Sequence, residues 1–130
     1  MKMRSGQVGD ISELMVISAL MRKNREVALP YGNRPGYDIL VLDSEGCWRE
    51  VQIKTAKRRA ARPGGGVYCD FIRGSGKGRR RHYTPDDFSF LISVEQQSGD
   101  FWVFTSTEVS FKRCLTVDKN HVGYMAINRI

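Results

Sequence analysis

The chain has few of the residues that form thiolate metal sites and disulfide frameworks. Its 130 residues include three cysteines and two histidines. Cys47, Cys69 and Cys114 are odd in number and widely spaced, which argues against a disulfide framework and a zinc knuckle. We expect these thiols to be small buried hydrophobes. His82 and His121 are isolated, so neither is assigned to metal binding or catalysis.

Long apolar runs are also absent. No stretch approaches the roughly 18 uninterrupted apolar residues that a membrane helix needs. The basic start, residues 1–4, is not followed by an apolar signal segment. A cytoplasmic protein is therefore expected. We find no internal repeat and no clear linker, and this length predicts a single domain over residues 1–130.

Acidic residues are scarce relative to basic ones, and the basic excess lies in one segment. The chain has 21 Lys and Arg against 14 Asp and Glu, a net charge of +7. Between Lys57 and His82 the only acid is Asp70, whereas the charges elsewhere nearly cancel. Such a patch is expected of a protein that binds a phosphate backbone, and a solvated basic loop is the alternative. The nucleic-acid-binding candidates are Lys57, Arg58, Arg59, Arg62, Lys77, Arg79, Arg80 and Arg81.

The hydrophobic pattern predicts one helix followed by a run of strands. Residues 5–24 predict a helix whose apolar side chains surround nearly the whole axis, which is typical of a buried helix. Glu13 lies inside it, and a buried carboxylate needs a partner or a metal ion. This order of elements predicts an α/β (α+β) domain around one mixed sheet. Strands are predicted at residues 37–43, 47–55, 67–72, 88–94 and 101–104, with a last strand or an oligomer contact at 122–127.

The first two long strands are predicted to form a hairpin. A three-residue loop with glycine last is favoured because its final residue needs a positive φ, and Gly46 ends such a loop. This loop pairs Asp43 with Cys47 and places Asp38 opposite Gln52. A two-residue loop would break this register.

The hairpin gathers side chains suited to metal-assisted phosphodiester hydrolysis. Gln52 and Lys54 project from the same face as Asp38, because alternate residues of a strand share a face. Asp38 and a neighbouring oxygen can hold Mg²⁺, which activates water and polarises phosphate. Lys54 can orient or deprotonate that water and offset negative charge. The alternative for Lys54 is an ordinary solvent-facing strand lysine.

These residues resemble the PD-(D/E)XK nucleases, and most of all the branch of group I intron homing endonucleases with Q-x-K-T in place of D/E-x-K. The likeness rests on Asp38, the strand segment Gln52-Ile53-Lys54-Thr55 and the helix segment Gly6-Gln7-Val8-Gly9-Asp10-Ile11-Ser12-Glu13. It includes the segment Pro35-Gly36-Tyr37-Asp38, which leads into the first long strand, and it covers about residues 5–56.

The resemblance implies a restriction-endonuclease-like core, double-stranded DNA as substrate and Mg²⁺ as cofactor, for which Mn²⁺ substitutes. Asp38 and Glu13 would be carboxylates at the metal site, and the backbone carbonyl of Ile53 a further ligand. Gln52 would stand where the family usually has an acid, and Lys54 would be the catalytic lysine. Because a neutral amide attracts a divalent ion less than a carboxylate does, we expect weak affinity for Mg²⁺.

A metal-dependent DNA endonuclease similar to homing endonucleases is the leading hypothesis. A Holliday-junction resolvase and a restriction-like nuclease fit the same residues. A catalytically inactive DNA-binding module is the alternative from another class, and a basic RNA-associated domain without a converged site is a third. A dimer or tetramer is expected of an endonuclease that cuts both strands, because one small active site cuts one strand.

Overall fold

The structure, a computed structural model, describes residues 5–32, 36–59, 66–74 and 80–130. Helix α1 is followed by a run of strands, and a one-turn helix α2 separates the last strand from the others before a final 3₁₀ turn. The elements are α1 (Ser5–Arg22), β1 (Val27–Ala28), β2 (Ile39–Leu42), β3 (Trp48–Arg58), β4 (Val67–Asp70), β5 (Ile72–Gly74), β6 (Arg80–His82), β7 (Phe90–Glu95), β8 (Phe101–Thr105), α2 (Ser106–Val109), β9 (Cys114–Val117) and the 3₁₀ turn Ile127–Arg129.

Within these residues, seven strands form one mixed sheet around β3. β3 is antiparallel to β2 and to β4, and it is parallel to β7. β7 continues antiparallel to β8, and β4 continues antiparallel to β9. β5 and β6 form a separate two-stranded hairpin. The predicted α+β class with a central mixed sheet is confirmed.

The β2–β3 hairpin has the loop that the sequence predicts. The ladder begins at the pair Leu42 and Trp48. Before it, the Asp43 N–H donates to the Cys47 carbonyl at 2.8 Å, which closes the three-residue loop. Gly46 has a φ of +83°, a conformation that glycine adopts without steric cost. The turn therefore sets the register of the strand that carries Gln52 and Lys54.

The core has two layers, one on each side of the sheet. α1 packs with the first layer, and Trp102 and Phe104 of β8 contribute to the second. The first layer includes Val16, Leu20, Ile39, Val41, Val51, Ile53, Ile92, Val94 and Val103. The second includes Ala56, Val67, Cys69, Phe71, Tyr83, Phe88, Leu91, Trp102 and Phe104.

α1 is buried along one stripe, not all round as its apolar residues predict. Ser12, Val16 and Leu20 are spaced by four residues and face the sheet, with exposed fractions of 1%, 2% and 0%. Leu14 and Met21 lie on the outer side and are 65% and 62% exposed. The sheet covers only one side of the helix, so apolar residues elsewhere on its circumference remain in solvent.

This asymmetry predicts effects of very different size for two leucine substitutions in α1. Leu20→Ala should lower the free energy of unfolding by about 2–5 kcal/mol, because it leaves a cavity in a packed layer. The matched change Leu14→Ala should alter it by less than about 0.5 kcal/mol, because that side chain faces solvent. Urea unfolding followed by circular dichroism measures both. Equal effects would contradict the packing of α1.

Several local expectations are corrected by the structure. Cys69 is fully buried, but Cys47 is exposed directly after the hairpin loop and Cys114 is half-buried, so the expectation of three buried thiols is confirmed only for Cys69. The segment 122–127 contributes one isolated bridge, between Trp102 and Tyr124, and no strand. Strands β6 and β9 lie where the sequence predicted only a basic loop or gave weak signals. The described residues include no helix long and apolar enough to cross a membrane.

Candidate active site

Part of one edge of β3 is open to incoming side chains. β2 pairs with β3 as far as Val51, and β4 pairs with it from Lys57. In the described part of the chain, no strand pairs with the stretch between them on this edge. The N–H and C=O of Ile53 point to the same edge as those of Val51, because backbone groups alternate along a strand. The gap thus leaves main-chain polar groups of the Q-x-K segment accessible to incoming side chains.

Asp38 fills the start of this gap. It lies just before β2, and its N–H donates to the Val51 carbonyl at 2.9 Å. Its Oδ2 accepts a hydrogen bond of 2.9 Å from the Ile53 N–H, so the carboxylate is fixed against the strand. Gly36 has a φ of +100°, and a Cβ there would lie 2.8 Å from the Asp87 carbonyl oxygen. Glycine is therefore needed in the approach to Asp38.

Glu13 reaches the same point from α1. Burial raises the pKa of the Glu13 carboxyl above its ordinary value, and the negative charges of Asp38 and Asp10 raise it further. Burial also raises the pKa of Asp38, while the Ile53 N–H and the charge of Lys54 act in the opposite direction. The side chains of Glu13 and Asp38 lie near enough for each carboxyl to influence the pKa of the other. Two carboxylates held together in this way favour a proton or a cation between them.

Lys54 and Gln52 are half-buried on one face of β3. The Lys54 Nζ donates to the Ile72 carbonyl at 3.1 Å, at the start of β5. The Gln52 Nε2 donates to the Ile53 carbonyl at 3.4 Å. The structure thus brings Asp38 to Ile53, and it brings Lys54 near enough to act on the charge of Asp38.

Comparisons with known proteins identify the family of this chain and a protein with a similar fold. The sequence matches the family described as PD-(D/E)XK endonuclease over residues 3–122. The chain belongs to the PD-(D/E)XK endonuclease family. The fold is similar to that of "a bacterial homing endonuclease: I-Ssp6803I", with a TM-score of 0.73 and 24% identity, over 92% of this chain and 84% of the other. No curated protein matches the sequence significantly.

A cleft of about 570 Å³ leads to the two carboxylates of this nuclease. Asp10, Glu13 and Asp38 are its acidic lining, and Leu29 is among its apolar residues. The sequence reasoning assigned no role to Asp10, although it stands three residues before Glu13 and therefore on the same face of the helix. The three-residue spacing is the feature of the sequence that could have identified Asp10 as part of the cleft.

The donors at the site are suited to a hard cation. The described residues contain no group of three or more His, Cys, Asp or Glu placed to hold a metal ion. What they offer is the pair of carboxylates, the Ile53 carbonyl and the Gln52 amide. An all-oxygen set with few protein ligands fits Mg²⁺, which retains several waters, and fits zinc poorly. A half-turn of the Gln52 amide would present its oxygen instead of its nitrogen.

Arg58 is engaged within the nuclease. Its Nε lies 3.0 Å from the Glu95 carboxylate, and its other end lies 3.5 Å from Asp100. Glu95 is nearly buried, with 4% of its side chain exposed. The arginine therefore anchors the end of β3 to the turn between β7 and β8, which the sequence pattern of charges did not indicate.

Of the other predicted phosphate contacts, the structure describes the side chains of Lys57, Arg59 and Arg81. Lys57 and Arg59 are exposed at the end of β3, and the Arg59 guanidinium lies 5.0 Å from the centre of the Tyr68 ring. Arg81 is exposed in β6, 3.5 Å from the Asp87 carboxylate. Arg62, Lys77 and Arg79 are outside the described residues, as is the side chain of Arg80.

The paired carboxylates predict that the metal-free nuclease is stabilised when Glu13 loses its charge. In the folded protein the pKa values of Glu13 and Asp38 are raised from ordinary values of 4.5 and 3.8. Their contribution to stability is therefore complete below about pH 4 and is lost as the pH rises through the raised values. Glu13→Gln should raise the melting temperature at pH 7 in EDTA, and this gain should disappear near pH 4.

Thermal unfolding across that pH range measures the effect, with Glu45→Gln as the matched control. Glu45 is exposed in the hairpin loop, so its substitution should leave the pH dependence unchanged. A lower melting temperature for Glu13→Gln at pH 7 would contradict the electrostatic description of the pair.

Proposed function

We propose that this nuclease is a metal-dependent DNA endonuclease that hydrolyses phosphodiester bonds. Asp38, Glu13, Gln52 and Lys54 would form its catalytic site. The observation that carries the proposal is the hydrogen bond of 2.9 Å from the Ile53 N–H to Asp38. It holds a carboxylate at the open strand edge, beside a second acid from α1 and the lysine of the Q-x-K segment.

The side chains of this site have distinct roles in the proposed reaction. Asp38 and Glu13 would hold Mg²⁺ or Mn²⁺, together with the Ile53 carbonyl and the Gln52 amide oxygen. The ion, when bound, supplies the charge that polarises the phosphate and acidifies water. The Lys54 ammonium has three N–H donors, and one of them is used by the Ile72 carbonyl. The remaining donors can orient the attacking water and stabilise the developing negative charge on phosphate.

The proposed substrate is double-stranded or branched DNA. The exposed Lys57 and Arg59 supply positive charge at the end of the strand that carries Lys54, and Arg81 is exposed in β6. DNA binding should weaken steeply as salt rises, because phosphate contacts release counterions. Among nucleases of this family we propose a homing-endonuclease-like enzyme, because Gln52 stands where an acid is usual. A Holliday-junction resolvase and a restriction-like enzyme are the alternatives, and we expect a dimer or tetramer in the cytoplasm.

One observation favours a second function, a catalytically inactive DNA-binding module. With a neutral Gln52, the site retains the paired carboxylates Glu13 and Asp38 but has less negative charge than a site with an acid at that position. Its affinity for a divalent ion is therefore lower. A protein that retained the fold but bound no metal ion at cellular concentrations would still bind DNA through its basic residues.

Cleavage assays on two substrates test the proposal. The protein is incubated with supercoiled plasmid and with a four-way junction, in Mg²⁺, Mn²⁺ or EDTA. Cutting that needs the metal ion supports the endonuclease, and the preferred substrate identifies the branch. A sequence-specific enzyme needs its target site in the test DNA, so the plasmid carries a library of fragments from the genome that encodes the protein. Salt-sensitive binding without cutting on any of these substrates would favour the inactive module.

A further inference from the structure

A polar network crosses the apolar layer between α1 and the sheet. The Ser12 hydroxyl lies 2.5 Å from that of Thr55 on β3. The Gln96 side chain donates to the Ser12 hydroxyl at 2.8 Å and to the Val8 carbonyl at 2.7 Å. Ser12 is 1% exposed, and its buried hydroxyl is satisfied by these contacts. The network therefore joins three elements that are distant in sequence.

The network connects positions next to two groups of the proposed site. Ser12 directly precedes Glu13 on α1, and Thr55 directly follows Lys54 on β3. The apolar contacts of Val16 and Leu20 are not directional, so they tolerate small shifts of the helix along the sheet. A slip by one residue would move Glu13 by about 1.5 Å along the axis and rotate it by about 100°. Directional hydrogen bonds oppose such a shift.

Gln96 acts from a turn that is itself held firmly. The Glu95 carboxylate accepts a hydrogen bond from the Gln97 N–H at 2.5 Å, and the Gly99 N–H donates to the Glu95 carbonyl at 2.9 Å. Arg58 ties the same carboxylate to the end of β3 at 3.0 Å. The turn between β7 and β8 is thus joined to β3, and Gln96 fixes α1 to that turn.

We propose that Ser12, Thr55 and Gln96 are positioning residues that set Glu13 against Asp38 and so determine the affinity of the site for a divalent metal ion. The inference rests on the proposed function for its consequence in catalysis. Its structural part, the placement of Glu13, does not depend on cleavage.

Paired variants separate this role from a general contribution to stability. Thr55→Val removes the hydroxyl at nearly constant volume, whereas Thr55→Ser retains it. Gln96→Ala removes the central donor, and Gln97→Ala is the matched control because Gln97 is exposed. Mn²⁺ binding to folded protein is measured by electron paramagnetic resonance, and cleavage is measured as a function of Mn²⁺ concentration.

We expect Thr55→Val and Gln96→Ala to weaken Mn²⁺ binding by about 10–100-fold, as loss of an orienting partner does in metal sites. Cleavage should recover largely at saturating Mn²⁺, and Thr55→Ser and Gln97→Ala should resemble the wild type. Lower melting temperatures with unchanged Mn²⁺ affinity would overturn the proposal.

A double-mutant cycle in EDTA tests the placement of Glu13 without any metal ion or substrate. Glu13→Gln is made in the wild type and in the Thr55→Val background, and the change in melting temperature is compared. The gain at pH 7 should be clearly smaller in the Thr55→Val background, because Glu13 is no longer held against Asp38. An identical gain would overturn the proposal. A wild type that neither binds Mn²⁺ nor cuts, but shows this coupling, would instead contradict the proposed function.

Discussion

Replacing Lys54 with methionine is expected to lower the rate of DNA cleavage at saturating metal ion by about 10²–10⁴-fold. Methionine retains an unbranched apolar chain that can lie in the half-buried position, but it has no ammonium group. The hydrogen bond of 3.1 Å to the Ile72 carbonyl is lost with the charge. Because Lys54 would act on the water and on the developing charge, the loss should appear in kcat.

Lys57→Met is the matched control for this prediction. Lys57 is exposed at the end of the same strand, three residues further along. Its loss should weaken DNA binding and reduce the salt dependence by about one phosphate contact, with little change in kcat. Single-turnover cleavage and binding titrations in Ca²⁺ measure the two quantities separately. Equal kcat values for the Lys54 variant and the wild type would remove Lys54 from the proposed mechanism.

Replacing Asp38 with asparagine is expected to weaken Mn²⁺ binding by about 100-fold or more and to abolish measurable cleavage at low metal concentration. The estimate follows because loss of an outer-shell partner alone costs about 10–100-fold, and a direct ligand should cost at least as much. Asparagine retains an oxygen that can accept the Ile53 N–H, so the local fold should persist. The substitution removes the negative charge and leaves the shape nearly unchanged.

Isothermal titration with Mn²⁺ and the plasmid assay measure these effects, beside Asp86→Asn. Asp86 is exposed in the turn before β7, so its replacement should leave both quantities as in the wild type. Unchanged Mn²⁺ affinity in Asp38→Asn would show that the metal ion binds elsewhere. Circular dichroism of the variant establishes that it is folded.

Most of the secondary structure around the site could be predicted because its signals are local. The apolar pattern of residues 5–24 predicts α1, which ends only two residues earlier, at Arg22. The glycine at position 46 predicts the three-residue loop, and the ladder from Ile39 to Leu42 has the predicted register. The ladder stops at Ile39, however. Asp38 binds the Ile53 N–H through its side chain and is not a member of the ladder.

Other elements could not be predicted because their signals are not local. β9 is a short segment of mixed polarity, and it forms a strand by pairing with β4, at the pair Asp70 and Cys114 for example. The local charge pattern groups Arg58 with the basic residues of its segment. Its partners Glu95 and Asp100 lie about 40 residues away along the chain, and nothing in the local pattern links them.

The sequence by itself determined the helix, the hairpin and the alternation that separates Gln52 and Lys54 from Val51 and Ile53. These features follow from backbone conformation and from a residue's immediate neighbours. Only the tertiary structure decided that Lys54 is held by Ile72 and that β3 lies parallel to β7. It also places Glu13 beside Asp38, which the sequence indicated only through its family resemblance. Those contacts join residues that are distant in sequence, so they depend on how the helix and the strands pack around a shared core.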